Sequence, residues 1–454
     1  MQQSMRFILL AYYVLVSFYT SPAQNPAFGL GSRLTFLNLA YNAASFSNND
    51  KWYIGLPLLH SVYIGGNSTL SLRQMLTQGN DGRFYLDFNK MATDSPSLNE
   101  LRLSPSLQLA TVGIRIGNGF WSLGLALRNQ VQLGYSPNLL NFLANGNGNT
   151  DSPIMLNQES LTAQHYLDAS IGYARYLGDG IKVGGRLHIL RSIGTLSLDR
   201  WYIRIQTDEQ SFPTYALNTS AEVSVAATGA YAILLDSNDM RSVSPLGYGT
   251  GIAFDLGANY RINPRWAFLL SAHNLGNFLF VSAADAKRIY TAGTGQITFE
   301  GFSLEPGNDK AATLDDQVND LRQQLQEAFP IAVQPSKVQI NLLGPAITIG
   351  ATADWTPYLR TAFFLQAISD HIGLRQHLNT SLFWHPNRTI ELIGGISWGN
   401  RSKLSIGAGM VLQVGPIRWH ILSENILLAI NPVTARSGGI RIGISIAVNQ
   451  KNGR

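Results

Sequence analysis

Apolar residues alternate with small or polar residues along most of the chain, from about residue 107 to residue 448. The alternation runs in segments of nine to eleven residues, and a turn rich in Asn, Gly, Pro or Asp follows each segment. Between residues 250 and 260, one face carries Ile252, Phe254, Leu256, Ala258 and Tyr260. The opposite face carries Gly251, Ala253, Asp255, Gly257 and Asn259. A period of two predicts β-strands.

The length and polar face of these segments distinguish two all-β architectures. Strands of about 9 to 11 residues cross a bilayer at a tilt, with apolar residues facing lipid and polar residues facing the interior. Strands of a soluble sandwich usually run about five or six residues, and Lys, Glu and Thr cover their polar face. Here the second face holds mainly Gly, Ala, Ser and Asn. We therefore expect an antiparallel transmembrane β-barrel of the outer-membrane type, with about 14 strands and an interior that is narrow, partly filled or plugged.

Short turns and clustered aromatic residues support the barrel. Hairpin turns are expected at Gly117-Asn118-Gly119, Leu177-Gly178-Asp179-Gly180, Asn263-Pro264, His385-Pro386-Asn387 and Gly399-Asn400. Aromatic residues near these turns are Phe120, Trp121, Tyr173, Tyr176, Tyr260, Trp266, Trp384, Trp398 and Trp419. In an outer-membrane barrel such rings form girdles at the level of the lipid headgroups.

Longer polar connections are expected to form loops at one end of the barrel, because such barrels carry their long loops on one side. They span about residues 80–99, 141–158, 207–220, 235–248 and 281–335. The last of them contains a predicted helix that Thr313 caps and Pro330 ends. We expect this helix to cover the barrel mouth or to enter the lumen.

Composition excludes several other classes of protein. Charged residues make up 13% of the chain, about half of the usual quarter, which is typical of a protein whose large outer surface does not face water. The chain has no Cys, and this excludes disulfides, thiolate metal sites and a lipidated Cys. The net charge of +5 comes without a run of Lys and Arg, so nucleic acid is not an expected partner.

The first residues read as a signal peptide. Arg6 supplies the positive charge, an apolar stretch follows from Phe7 to Thr20, and the small residues Ser21 and Ala23 precede the expected cleavage. The stretch is too short to span a membrane as a helix, which needs about 20 apolar residues. We expect a signal peptide at residues 1–23 and one barrel domain at residues 24–454.

Two segments have a superficial likeness to catalytic or metal sites. Gly395-Ile396-Ser397-Trp398-Gly399 matches the G-x-S-x-G pattern, which exposes a nucleophilic serine where a strand turns into a helix. Another strand is expected to follow here, so Ser397 is interpreted as a small residue facing the lumen beside Glu391. His371, His377, His385 and Glu391 lie close together in sequence, but their spacing matches no known metal motif. No metal, cofactor or enzymatic activity is expected.

Charged residues on the inward face are the better functional candidates. If the alternation is read correctly, the residues facing the lumen are Arg115, Arg128, Lys182, Arg186, His188, Glu222, Asp255, Arg360, Glu391 and Arg441. Charges inside a pore set its ion preference, so this set would give a modest preference for anions. In the alternative interpretation the acidic and basic members pair with one another and only satisfy a polar lumen.

Several short motifs occur along the chain in a specific order. They are Gln24-Asn25-Pro26-Ala27, Gly55-Leu56-Pro57, Ser136-Pro137 with Leu139 and Leu140, Gly146-Asn147, Gly415-Pro416, Asn425, Asn431-Pro432 and Gly439-Ile440-Arg441-Ile442-Gly443. In this order they resemble the domain of unknown function 5723 family, predicted outer-membrane barrels of the Bacteroidota. The resemblance covers nearly the whole mature chain and implies a barrel related in style to the long-chain fatty-acid transporter class. It implies no substrate and no catalytic residue.

The sequence thus predicts a barrel in the outer membrane of a Gram-negative bacterium, in contact with its lipid. The expected function is the passage or binding of a small or hydrophobic solute. A scaffold or secretion-accessory barrel that does not transport and binds extracellular protein partners through its loops is the first alternative. A hydrolase embedded in a barrel is the second.

Overall fold

The structure is a computed structural model of the chain, and it describes part of the sequence. The described residues are 29–35, 37–47, 50–79, 82–146, 153–178, 180–208, 216–235, 249–280, 286–298, 319, 323, 327, 329–330, 332–335, 339–370, 373–400 and 403–449. The predicted signal peptide at residues 1–23 lies outside them, as does His371. The division into signal peptide and barrel domain stays a prediction.

Strands dominate the described residues. They are β1 (Asp50–Gly55), β2 (Ser61–Ser68), β3 (Leu76–Gln78), β4 (Phe84–Leu86), β5 (Asn99–Leu103), β6 (Ser106–Ile116), β7 (Gly119–Tyr135), β8 (Ile154–Leu156), β9 (Ser160–Gly178), β10 (Ile181–Asp208), β11 (Ala216–Gly229), β12 (Gly249–Arg261), β13 (Trp266–Phe280), β14 (Ala286–Thr298), β15 (Ala332–Pro335), β16 (Gln339–Leu342), β17 (Ala346–Thr356), β18 (Leu359–Asp370), β19 (Gly373–Trp384), β20 (Ile390–Gly399), β21 (Lys403–Val414), β22 (Ile417–Ser423) and β23 (Ser437–Asn449).

Short helices lie before and between the strands. They are α1 (Leu37–Tyr41), α2 (Leu72–Met75), α3 (Phe88–Thr93), α4 (Pro137–Asn145), α5 (Ala230–Leu235) and α6 (Leu427–Ile430). None of these helices has the length and apolar character that a membrane-spanning helix requires. Positions 319, 323 and 327 are also helical, within the helix that the sequence predicts at residues 313–330. Most of that segment lies outside the described residues.

The strands form a closed antiparallel barrel. Pairing runs from β1 through β6, β7, β9, β10, β12, β13, β17, β18, β19, β20, β21, β22 and β23, and β23 pairs again with β1. In the closing pair, Tyr53 lies opposite Ala447 and Ile54 opposite Ile446. Closure leaves this ring without a free edge, so its backbone N–H and C=O groups bond to neighbouring strands, as a barrel in lipid requires.

The strand count is slightly higher than the sequence predicts. The described part of the chain forms a barrel of 16 strands. In this count β1 and β2, β5 and β6, and β16 and β17 are each one interrupted strand, and the short β3, β4, β8 and β15 are not included. The expectation of about 14 was low because β14 falls inside the predicted loop at residues 281–335. The ring named above has 14 members, and β11 and β14 are the other two strands. They pair with each other, and β11 continues along β10 beyond the end of β12.

Side chains alternate between the outside and the inside of the barrel. In β12, Ile252, Phe254 and Leu256 are 55%, 49% and 57% exposed, whereas Ala253 and Asp255 are buried. In water each exposed apolar side chain would cost about 25 cal/mol per Å² of surface. A continuous apolar outer surface of this kind is stable in lipid, where that cost disappears.

The two ends of the barrel differ in their connections. At the end that we call the short-turn end, two to five residues join neighbouring strands, as between β6 and β7, β17 and β18, and β21 and β22. At the opposite, long-loop end lie α2 to α5 and the longer connections. The first strand, β1, begins at the short-turn end, and the last strand, β23, ends there.

Candidate functional site

Residues 29–35 and 37–47, which precede β1, lie inside the barrel, and we call this segment the plug. Leu30 and Leu37 belong to one buried apolar cluster with the wall residues Phe364 and Phe383. At the other end of the plug, Phe46 stacks on the wall residue Phe120 with ring centroids 5.3 Å apart. The plug thus fills the lumen through apolar contacts with opposite parts of the wall.

One carboxylate of the wall holds the start of the plug. Glu391, on β20, is fully buried. It accepts hydrogen bonds from the Ser32 hydroxyl at 2.8 Å and from the backbone N–H of Leu34 at 3.3 Å. Arg33 in turn donates to Asp354 of β17 at 2.6 Å. Because such bonds involve a charged group, each contributes more than a neutral hydrogen bond.

Basic side chains of the wall donate to the plug as well. Arg360 donates to the carbonyl of Gly31 at 2.9 Å, and Lys182 donates to the carbonyl of Phe46 at 3.2 Å. Arg115 donates to the carbonyl of Ser47, and Arg441 donates to the hydroxyl of Tyr41. The structure therefore places Arg115, Lys182, Arg360, Glu391 and Arg441, five of the residues predicted to face the lumen, in contact with the plug.

Two wall glycines allow the middle of the plug to approach closely. Gly184 of β10 lies directly opposite Gly257 of β12. A Cβ atom at Gly257 would overlap the side chain of Asn42, and one at Gly184 would overlap the carbonyl of Ala43. Asn42 also donates to Asn259 of the wall at 2.7 Å. A larger residue at either glycine would push the plug away from the wall.

We expect the substitution Gly257→Val to displace the plug. Ala44 is fully buried, and the chain has no native cysteine, so a single Ala44→Cys substitution reports on the plug alone. In the Gly257→Val background, a small water-soluble maleimide should label this cysteine about tenfold faster than in the wild-type background, because thiol reactivity follows exposure.

Gly185→Val is the matched control for this prediction. Gly185 is adjacent to Gly184 and faces the other side of the wall, where the nearest atom to an added Cβ is 3.7 Å away. Labelling in this variant should match the wild-type background. Equal labelling rates in the Gly185→Val and Gly257→Val variants would contradict the contact between Gly257 and the plug.

A cluster of charged residues lines a small cavity of about 90 Å³ behind the plug, which we call the inner chamber. His188 lies between two carboxylates, with its Nδ1 atom 2.7 Å from Asp168 and its Nε2 atom 3.0 Å from Asp255. Arg128 donates to Asp168 at 2.7 Å, and Arg186 lies 3.9 Å from Asp255. Acidic and basic groups are close to balance in this cluster, which reduces the cost of burying them.

Three residues that contact the plug or line the inner chamber were not predicted from the sequence, namely Asp168, Asp354 and His273. Asp168 and Asp354 follow the inward alternation of β9 and β17, and the same rule that selected Asp255 would have selected them. His273 of β13 is buried and lies 3.9 Å from Asp255. The plug itself gave no signal, because it has neither a strand pattern nor a known motif.

A larger cavity of about 960 Å³ lies between the plug and the wall at the short-turn end, and we call it the vestibule. Its charged lining residues are Arg33, Lys182, Arg261, Arg265, Asp354 and Arg360. Aromatic side chains of Phe46, Tyr176 and Phe268 also line it. The vestibule is large enough for a small organic molecule, since such sites have volumes of about 300–1,000 Å³.

Glu222 lies apart from these cavities. It is on β11, where it forms an ion pair with the exposed Arg200 of β10. It lines neither the inner chamber nor the vestibule. Of the ten predicted residues, Glu222 is thus the one whose described contacts are separate from the plug and the two cavities.

The segments that resemble catalytic or metal motifs are parts of the wall. Ser397 is buried within β20, opposite Asn379 of β19 and Ser405 of β21, and the chain continues into another antiparallel strand. His385 lies 3.5 Å from Glu391. Among the residues that the structure describes, no group of three or more His, Asp or Glu side chains is arranged to hold a metal ion.

Comparison with solved structures finds proteins with limited structural similarity to this chain and very different sequences. The toluene transporter TbuX of Ralstonia pickettii is 9% identical over 95% of this chain and 99% of its own, with a TM-score of 0.46. The toluene transporter TodX of Pseudomonas putida is 9% identical over 94% and 98%, with a TM-score of 0.41. A Pseudomonas aeruginosa FadL homologue is 9% identical over 95% and 99%, with a TM-score of 0.45. These identities are too low to transfer any residue's role.

Comparison of the sequence itself identifies the family. No curated protein matches the chain. Residues 45–424 match the family of unknown function DUF5723, and the match covers most of the chain, from the end of the plug to the connection before α6. The chain belongs to this family, DUF5723.

Proposed function

We propose that the protein is an outer-membrane barrel that binds a small or hydrophobic solute and passes it through the lumen when the plug moves. The observation that carries this proposal is the plug. Its polar contacts with the wall are side-chain hydrogen bonds and one ion pair, which can break and re-form without disturbing the strand pairing. Gated passage requires a rigid wall and a separate segment that can move away from it, and the plug is such a segment.

The outer surface supports a location in a membrane. Trp266 and Trp355 contact each other edge to face near the short-turn end, with ring centroids 5.9 Å apart. Trp384 and Trp419 are exposed near the same end. Between the two ends the exposed residues are mainly aliphatic, as in β12 and β23. Aromatic residues bordering an apolar band are typical of barrels in the outer membrane.

The contacts of the plug favour a solute with apolar surface. Leu30 and Leu37 cover Phe364 and Phe383 of the wall. When the plug moves, these rings lose their apolar partners and would face water. A hydrophobic solute that takes the place of the leucines recovers that loss, at about 25 cal/mol per Å² of covered apolar surface.

Immobilising the plug tests the proposal. Asn42→Cys and Asn259→Cys place two thiols where the native side chains form a hydrogen bond, and a short bismaleimide can join them. Cells of a Gram-negative host that produce the protein should take up radiolabelled toluene, the solute in the names of the two transporters above. Cross-linking should reduce the uptake to the level of cells without the protein.

Each single-cysteine variant treated with the same reagent is the control, because it carries the modification without the tether. These variants should take up toluene as the wild type does. Uptake that is equal with and without the tether would show that the solute does not pass the plug. Absence of uptake in the wild type itself would refute the proposed passage of such a solute.

One surface feature favours the alternative role as a non-transporting scaffold. At the long-loop end, β3 and β4 form a hairpin in which Phe84, Tyr85 and Leu86 are all exposed. Exposed apolar clusters of this kind often mark protein interfaces. The scaffold role predicts that Phe84→Ser with Tyr85→Ser abolishes partner binding, while the cross-linked plug leaves that binding unchanged.

A further inference from the structure

The vestibule has a strong excess of positive charge. Among the residues that the structure describes, five of the six charged residues of the lining are basic and Asp354 is acidic, which gives these six a net charge of +4. The inner chamber, in contrast, sets Asp168 and Asp255 against Arg128 and Arg186 with His188 between them. Arg441 also lines the inner chamber, so apart from its histidines that cavity has an excess of one basic residue, against four in the vestibule.

Three guanidinium groups share the carboxylate of Asp354, the one acidic lining residue in the part of the chain that the structure describes. Arg33 lies 2.6 Å from Asp354, Arg360 lies 2.6 Å from it, and Arg261 lies 3.9 Å from it. One negative charge cannot neutralise three positive charges. The three arginines repel one another at these short separations, and a second anion would relieve that repulsion.

The other two basic residues contact aromatic rings. The Lys182 ammonium lies 4.5 Å from the ring centroid of Phe46 and 5.0 Å from that of Tyr176. The Arg265 guanidinium lies 5.4 Å from the ring centroid of Trp355. The faces of these rings attract cations but carry no net charge. Lys182 and Arg265 both line the vestibule, so these contacts hold two further basic groups at its rim.

An anion can reach these groups. The vestibule lies at the short-turn end, and the side chains of Arg261 and Arg33 are 49% and 36% exposed. Arginine side chains present several N–H donors in a planar arrangement that matches the oxygens of a carboxylate or phosphate. The site combines several such donors, room for a ligand and access from one end of the barrel.

We propose that the vestibule binds an oxyanion that carries two or more negative charges. Its donors are Arg261, Arg265, Lys182 and Arg360 of the wall together with Arg33 of the plug. This inference goes beyond the proposed function, because it requires neither passage of a solute nor movement of the plug. Binding occurs at the short-turn end of the intact, plugged barrel.

Calorimetry on the full-length protein in a non-ionic detergent tests the inference, with inorganic pyrophosphate as the ligand and sodium chloride of equal ionic strength as the reference. Pyrophosphate should give a saturable binding isotherm and chloride should not. The double variant Arg261→Gln and Arg265→Gln should bind pyrophosphate at least about tenfold more weakly, because it loses two charge-assisted donors.

Arg388→Gln is the matched control. Arg388 is an exposed arginine in the turn before β20, at the same end of the barrel, and it does not line the vestibule. Its substitution should leave the affinity unchanged. The inference is overturned if pyrophosphate gives no saturable heat, if the double variant binds as tightly as the wild type, or if Arg388→Gln weakens binding equally.

The outcome is independent of the passage of a hydrophobic solute. Cross-linking replaces Asn259, an uncharged residue of the vestibule lining, and leaves all the charged lining residues in place, so the cross-linked protein should still bind pyrophosphate saturably. Binding of pyrophosphate without uptake of toluene would support this inference and refute the proposed function. Uptake of toluene without binding of pyrophosphate would support the proposed function and refute this inference. All variants should first show the heat-modifiable gel mobility of a folded barrel.

Discussion

Deletion of residues 29–47 is expected to convert the protein into an open channel with a conductance about tenfold or more above that of the wild type, because barrels of this size enclose an aqueous pore unless something fills them. In the structure the plug fills this space through Leu30, Leu37 and Phe46. Conductance in planar bilayers measures the effect. The intact protein should be nearly silent under the same conditions.

The open channel should also prefer anions. Deletion removes the plug atoms that Arg115, Lys182, Arg360 and Arg441 contact, and it leaves these side chains facing the pore. Charges that line a pore determine which ions enter it. In a potassium chloride gradient the reversal potential should shift toward that of chloride. Adding Arg360→Gln to the deletion should reduce the shift, whereas adding Arg388→Gln should not.

Two results would contradict this prediction. Unchanged conductance after deletion would show that something other than the plug closes the lumen. A cation preference would show that Glu391 and the other acidic groups dominate the pore. Both results are informative provided that the deletion variant folds, which its heat-modifiable mobility on a detergent gel establishes. The wall does not depend on the plug for strand pairing, so we expect it to fold.

The alternation of residues could be read from the sequence because lipid and lumen impose opposite demands on neighbouring positions. In β12, Phe254 faces outward and Asp255 lies buried in the inner chamber, as the period of two requires. The same rule failed at β14. That strand runs as Ala-Lys-Arg-Ile-Tyr-Thr-Ala-Gly-Thr-Gly-Gln-Ile-Thr, and polar residues occupy both the odd and the even positions of this sequence. Without a consistent apolar face, a paired strand resembles a loop.

The partners of the lumen charges could be predicted only in part. Asp255 and His188 pair within the wall, as the interpretation of a self-satisfied polar lumen requires. Arg360 and Lys182 instead donate to backbone carbonyls of the plug. A carbonyl is present at every residue, so no side-chain pattern marks the ones that will accept such a bond. The position of the plug depends on the completed barrel, which local sequence does not encode.

The second large effect is expected at the junction where the barrel closes. Arg418 of β22 reaches across β23 to Asp50 of β1, and its two terminal nitrogens lie 2.8 and 2.7 Å from the two carboxylate oxygens. Both side chains are almost fully buried. Gln413 accepts a further hydrogen bond from Arg418 at 3.0 Å. This bidentate pair joins the first strand of the ring to the strand before the last.

We expect Asp50→Asn to lower the free energy of unfolding by about 3–5 kcal/mol, because removing one partner leaves a buried guanidinium without its counter-charge. Urea titration in detergent, followed by the shift between the folded and unfolded bands on a gel, measures the change. The exposed pair of Arg200 and Glu222 is the reference. Glu222→Gln should cost about 1 kcal/mol or less, as is usual for exposed pairs.

The double variant Asp50→Asn and Arg418→Gln separates the loss of the ion pair from the cost of an unpaired charge. Two neutral side chains remain, and they can still form a hydrogen bond across the junction. If the unpaired Arg418 causes most of the destabilisation, the double variant should be more stable than Asp50→Asn alone, and the non-additivity measures the coupling between the two residues. Strictly additive losses would mean that Asp50 and Arg418 stabilise the closed barrel independently.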